Sequence, residues 1–544
     1  MAERRDSISM ISDTAQRVFS EPIRIRKVRY ADGTFSPEVP MHEDWLELFT
    51  DLLFVVMYQK IGALLAKAGP ENGLTLVVVF IGFWNIFGGM YTMNRFVNVF
   101  ACGGLVRLLL LALVPLGICH MTYYLDSDFS ESGVKGYSIG FAVTRIGLGI
   151  LFFKAWLHNR DMGYTTFVFS LTLLLNALVV AIVQHLSPTR LTATGAGLFV
   201  LVTEILARMI FLPCSPFWRS PPRFPGVNIG HVQARAGIAL MVALGESIIQ
   251  ILTVEQRADA SRWRNGMTMG GFTLALMIAL VYFDAQPHNI EHHVIRRSWQ
   301  GATLFMYLIP VLVFFVWLIG FGFEILILRC QSTGKGHNGH GDPHANPHSR
   351  RLSGHLAETW NLHCILVLFS SAIAIVHWCV TWIRWLHTGC DGFKTHRDRL
   401  RIVWQIILGG CHFCVCLVVE SLWEEPWSKG MAEVWLHVAL LVPMVLSTMR
   451  AKHTHHHEHG GGHHRNEDED EEDEELPVSP GVSFAASRAS RRSRGSRISS
   501  GNFTVDPVFG CTEHGEQRAE MRSFNPPATA EMASLGVHSA GACD

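Results

Sequence analysis

Charge is scarce in this chain. Asp, Glu, Lys and Arg make up 17% of 544 residues, against about 25% in soluble proteins. That shortage argues against a soluble surface over most of the length. An excess of one sign is missing too. The formal net charge is −1, so no global field points to nucleic acid or to an acidic partner. A secreted cysteine framework is absent. The twelve cysteines sit mostly inside apolar runs, where they read as small hydrophobes rather than disulfide partners. No short apolar core with a small-residue cleavage site opens the chain, so the first span is expected to serve as a retained targeting signal. Ten-residue alternation is lacking as well, which argues against a membrane barrel, and open sheets cannot cross lipid. Neither a nucleophile–base motif nor a strong metal motif stands out. No enzyme activity and no cofactor are therefore expected.

What the chain has is hydrophobic runs. Hydrophobic residues are 49% of the total, gathered into stretches of roughly 20 residues, each long enough to cross about 30 Å of hydrocarbon as a helix. About twelve spans are expected, near 45–68, 74–94, 100–122, 137–157, 164–186, 193–213, 231–253, 266–285, 301–328, 360–383, 400–420 and 431–449. The fold class is therefore all-α, a polytopic transmembrane helix bundle over 45–449 with the lipid bilayer as its partner. Residues 1–43 read as a basic tail. Residues 329–358 ("GKGHNGHGDPHANPHSRR") read as a solvated His-rich loop. Residues 450–544 read as a disordered tail with His-rich, acidic and Ser/Arg-rich blocks. The basic N-terminal tail favours the cytoplasm, and an even span count places the C-terminal tail there too.

The few charges inside spans carry the most information, because each costs roughly 2.5–3.5 kcal/mol to insert. "DWLELFTDLLFVVMYQ" places Glu47 and Asp51 four residues apart on one helix face, with Tyr58 seven residues beyond Asp51 on nearly the same stripe. "HVQARAGIALMVALGESIIQILTV" carries Arg235 and Glu246. They face the same way but lie roughly 16 Å apart along the axis, so each needs a partner on another helix. "VYFDAQPH" carries Asp284, and "AVTRIGLG" carries Arg145. Span parity predicts two layers: Glu47, Asp51, Arg235 and Asp284 near one face, and an Arg145–Glu246 pair nearer mid-membrane. Two readings stay open, a titratable ion pathway and an inert structural network.

Three motifs occur in order: "WLELFTDLLFVV", "ARAGIALMVALGESII" and "VYFD". In these the chain resembles the low temperature requirement protein A (LtrA) family, over roughly 45–449. The resemblance implies an integral membrane protein and carries over Glu47, Asp51, Arg235, Glu246 and Asp284. Arg145 rests on depth alone. Thr50 stands where the family often has a second Phe, and the lead into Tyr-Phe-Asp is less aromatic; neither departure alters an ionisable position.

The remaining features read more plainly. Glu204 and Arg208, four apart, are expected to form an intrahelical pair. Arg107 is expected to snorkel or join the acid cluster, and Glu324 to be interfacial. In "CHFCVC", Cys411 and Cys414 share a face while Cys416 does not, so no metal site is assigned. "PHNIEHH" reads as an interfacial loop. His120, His377, His412 and His437 show no pairing motif and read as packing residues. Two functional expectations follow. One is a proton- or ion-coupled transporter of a small solute using Glu47, Asp51, Tyr58, Arg145, Arg235, Glu246 and Asp284. The other is a membrane sensor or scaffold with a structural charge network and a signalling tail.

Overall fold

The apolar runs form helices because, in lipid, only a helix satisfies every backbone donor and acceptor within one segment. The computed structural model describes residues 24–25, 45–68, 73–101, 104–125, 130–159, 163–207, 227–253, 261–287, 292–333, 360–388 and 396–460. Apart from Arg24–Ile25, the expected N-terminal tail lies outside the described residues. So do Arg208, His288, most of the His-rich loop, and the C-terminal tail beyond Gly460.

Thirteen helices occur among the described residues: α1 (Trp45–Ala68), α2 (Gly73–Val99), α3 (Gly104–Tyr124), α4 (Glu131–His158), α5 (Gly163–Leu186), α6 (Arg190–Leu206), α7 (Ile229–Thr253), α8 (Ser261–Ala285), α9 (Val294–Arg297), α10 (Trp299–Thr333), α11 (Leu362–Thr388), α12 (His396–Leu422) and α13 (Pro426–Gly460). Extended structure among these residues is one short pairing, Arg24–Ile25 antiparallel to Phe100–Ala101. Eleven helices are long and apolar enough to cross a membrane. The sixth expected span, α6, is 17 residues long and falls outside that set.

Local signals place several ends. Ser130 caps α4 by accepting from the Gly133 N–H at 3.1 Å, ahead of the first-turn acid Glu131. Thr189 and Thr192 form a reciprocal capping box that starts α6. α13 continues the backbone helix to Gly460, through "AKHTHHHEHG".

The bundle is built around α10, which packs against α7 and α11. Helices α3, α4 and α5 pack in sequence, and α6 lies on α2 and α5. α11 packs on α12, and α13 lies across α8. α1 touches α2, α3 and α7, and these contacts bring the opening carboxylates to Arg235. Tyr58 anchors this region. Its ring stacks between Phe83 (6.1 Å, 21°) and Trp317 (5.7 Å, 16°), so α1, α2 and α10 share one aromatic layer.

Candidate functional site

Glu47 and Asp51 occupy successive turns of α1, and both are buried. Each meets a partner on α7. Arg235 donates to both oxygens of Asp51, Nη2 to Oδ1 at 2.7 Å and Nη1 to Oδ2 at 2.8 Å. This is the two-pronged geometry that guanidinium and carboxylate favour. One turn earlier, His231 Nε2 lies 3.2 Å from Glu47 Oε1. Both contacts join residues 184 apart in sequence. A constant offset on successive turns means that α1 and α7 run parallel, side by side. With its amide oriented to suit both neighbours, Asn94 of α2 donates to Glu47 Oε1 and accepts from Arg235 Nε, each at 3.2 Å. Asn98, one turn along, exchanges two hydrogen bonds with the backbone of Asn228 (2.7 and 2.9 Å). The Asn228 side chain in turn accepts from the His231 N–H at 3.0 Å. The start of α7 is thereby held against α2.

A cleft opens beside this cluster. Its interior volume is about 20 Å³, room for about one water, and it is lined by Asn94, Arg95, His231 and Arg235 among apolar residues such as Phe87, Met90 and Met306. Pro310 lies within α10 just beyond Met306 and Ile309, both on the cleft wall. It has no N–H to offer the Met306 carbonyl, which therefore loses its helical donor. Polar groups converge on one side of this apolar crevice, which as it stands admits a water or a small ion rather than a larger solute.

The expected mid-membrane pair takes a different form. Arg145 does not meet Glu246. Its Nη2 lies 2.9 Å from Glu204 Oε1 on α6 and 3.4 Å from the Asn85 carbonyl on α2. Depth along a span says nothing of azimuth, and packing of α6 on α2 turns Glu204 toward Arg145. The position facing the guanidinium is Gly88, where a Cβ would sit 3.0 Å from Arg145 Nη2. Glu204 thus pairs between helices; its expected intrahelical partner, Arg208, lies outside the described residues.

Glu246 is buried, and its Oε2 has no hydrogen-bond partner among the described residues. Tyr58 lies within electrostatic reach of both Asp51 and Glu246, and Glu324 on α10 within reach of Glu246. Glu324 is half-buried, in the last two turns of the part of α10 able to cross a membrane.

Asp284 is the expected member that stays away from Arg235. Its Oδ2 accepts from Arg384 Nη2 on α11 at 2.8 Å. α8 packs against α7 as well as against α11 and α13, but Asp284 is turned to the α11 side, where Arg384 meets it.

Sequence reasoning passed over His231, Asn94 and Arg384. His231 carried a readable signal, since it precedes Arg235 by four residues just as Glu47 precedes Asp51. Asn94 and Arg384 carried none beyond being polar inside an apolar run.

The family model described as Bacterial low temperature requirement A protein (LtrA) matches residues 43–388, which covers α1 through α11. Helices α12 and α13 lie beyond the match. No curated protein matches the chain, and no solved structure does.

Proposed function

Taking as premise that this chain belongs to the bacterial low temperature requirement A family and is a multi-pass integral membrane protein, we propose that it is a proton- or ion-coupled carrier of a small solute. The observation that carries the reading is the Asp51–Arg235 and Glu47–His231 ladder at the wall of the cleft. In this scheme the cleft widens to admit the solute, which then meets apolar walls and, on one side, Asn94, Arg95 and Arg235. Proton or cation traffic is assigned to Asp51 and to the buried groups Tyr58 and Glu246, with the half-buried Glu324. Neither Glu246 nor Glu324 has an ion-pair partner among the described residues, so each can hold a proton or face a small cation. Asp284 and Arg145, each paired on another helix, serve as structural supports in this scheme. The reading assigns the chain no catalytic step.

Both termini are placed in the cytoplasm. The parallel course of α1 and α7 supports an even number of crossings, because five intervening helices restore direction only when α6 is counted as one of them.

Proton flux into liposomes containing the full chain tests the reading. Wild type should exceed empty liposomes, and Asp51→Asn should fall to their level while still eluting as a folded species. Equal flux from the two proteins removes Asp51 from the mechanism.

The closed two-pronged geometry of Asp51 with Arg235 favours a second reading, a sensor or scaffold in which the cluster is structural. In that case Asp51→Asn would aggregate rather than fold and lose flux.

A further inference from the structure

Away from this ladder, five polar side chains meet inside the last three long helices. α11 supplies Ser370 and His377, α12 supplies His412, and α13 supplies Glu433 and His437. None is more than 2% exposed. The Ser370 hydroxyl is hydrogen-bonded to Glu433 Oε1, and its Oγ lies 3.0 Å from His437 Nε2. That same nitrogen is 3.4 Å from Glu433 Oε1. On the other side of the ring, His437 Nδ1 lies 2.7 Å from His412 Nδ1. The His377 ring follows, 5.3 Å from that of His412.

Charge and hydrogen count constrain this string. An ionised carboxylate without a cation is costly in an apolar interior, and no lysine or arginine pairs with Glu433 among the described residues. The remaining groups beside the string are Cys416 and Gln405 of α12 and the Phe369 ring of α11, none of them a cation. No group of three metal-ligating side chains among the described residues is placed to hold a metal ion. Two imidazole nitrogens 2.7 Å apart need one hydrogen between them, because each ring nitrogen is either donor or acceptor.

We propose that Glu433, Ser370, His437 and His412 form a buried site that binds one mobile proton and passes it between α13 and α12. At rest the proton is on the Glu433 carboxyl, which donates to Ser370 Oγ. The Ser370 hydroxyl turns its own hydrogen to His437 Nε2, and neutral His437 carries its hydrogen on Nδ1. Transfer breaks the Glu433 O–H bond and forms an N–H bond at His437 Nε2, directly or through the Ser370 hydroxyl. The His437 Nδ1–H bond breaks as a new one forms at His412 Nδ1. The products are a Glu433 carboxylate, a neutral His437 with its hydrogen on Nε2, and a His412 imidazolium. One proton has moved, net charge is unchanged, and no electron is transferred. His412 Nε2, which has no partner among the described residues, then stands next to His377 as the onward donor. The site stands apart from the cleft and does not depend on the carrier reading.

Difference infrared spectroscopy on the full chain in lipid nanodiscs, with isotope-labelled glutamate, tests this. Once the proton leaves His412 by way of His377, the site has lost one proton. Wild type should therefore show a labelled protonated-carboxyl band that weakens as pH rises between about 5 and 9. Glu433→Gln should abolish that band. His412→Phe should keep it but remove its response to pH, because the proton has lost its destination. Ser370→Ala retains every titrating group and should shift the band's frequency; it decides the matter if Glu433→Gln fails to fold. A spectrum without a Glu433 band, an equal pH response in His412→Phe, or an unshifted band in Ser370→Ala overturns the proposal.

Discussion

A guanidinium buried in a bilayer must be matched by a carboxylate or by carbonyls, and the match is worth more as repair than as gain. Arg145 is fully buried. It has one carboxylate partner, Glu204, while its Nε and Nη1 have no hydrogen-bond partner among the described residues. Removing one member of such a pair strands the other charge, whereas replacing both with apolar residues removes the desolvation cost as well. Glu204→Leu alone should therefore destabilise the protein by about 3–5 kcal/mol. The double variant Arg145→Met with Glu204→Leu should recover most of that loss. Thermal unfolding of the three proteins in one detergent checks this. A double variant as unstable as the single would mean that Arg145 is held by something other than Glu204. Glu433 presents the same problem without an arginine, so a proton must take the place of the cation.

Elements meet closely only where side chains leave room. α3 and α4 approach at Gly117 and Gly140. A Cβ on Gly117 would fall 2.2 Å from Thr144 Oγ1 and 2.7 Å from the Gly140 carbonyl oxygen. One of these atoms is backbone, so the clash cannot be relieved by a rotamer change. Small residues at crossings of this kind let membrane helices gain packing that lipid cannot supply. Gly117→Val should lower the thermal midpoint of unfolding markedly. Gly195→Ala, in α6 where nothing lies within 4 Å, should leave it unchanged or raise stability by about 0.5–1 kcal/mol. Equal behaviour of the two variants would contradict the tight α3–α4 crossing. The α1–α7 ladder shows a second rule of elements. Two i, i+4 pairs zip in register only when their helices run the same way, which is why His231 falls on Glu47 when Arg235 falls on Asp51.

At the scale of the molecule, the sidedness of each helix is inverted relative to a protein in water. On α5 the outward face is Leu171, Leu175, Leu178 and Ile182, each 44–57% exposed, while Ser170 and Asn176 are buried. This suits a bilayer, which solvates leucine and excludes amides. Leu175 lies near the middle of α5. Leu175→Arg should cost roughly 2.5–3.5 kcal/mol of insertion, read as a reduced inserted fraction in a glycosylation-mapping assay, with Leu175→Ala close to wild type. Unreduced insertion of Leu175→Arg would place that face against protein or water instead of lipid.

The sequence alone determined the all-α membrane architecture, the approximate span positions and the identity of the costly charges. Apolar run length and backbone hydrogen bonding leave no alternative in hydrocarbon, and a charge among leucines is visible without coordinates. It also grouped Glu47, Asp51 and Arg235 in one layer, with Asp284 among them, because carboxylates inside a span demand a base on another helix. Which helix faces which was decided only by tertiary packing. Depth along a span follows from counting residues, but azimuth and neighbour do not. Arg145 therefore turned to Glu204 rather than Glu246, Asp284 to Arg384 rather than Arg235, and three histidines with no sequence pattern met beside Glu433.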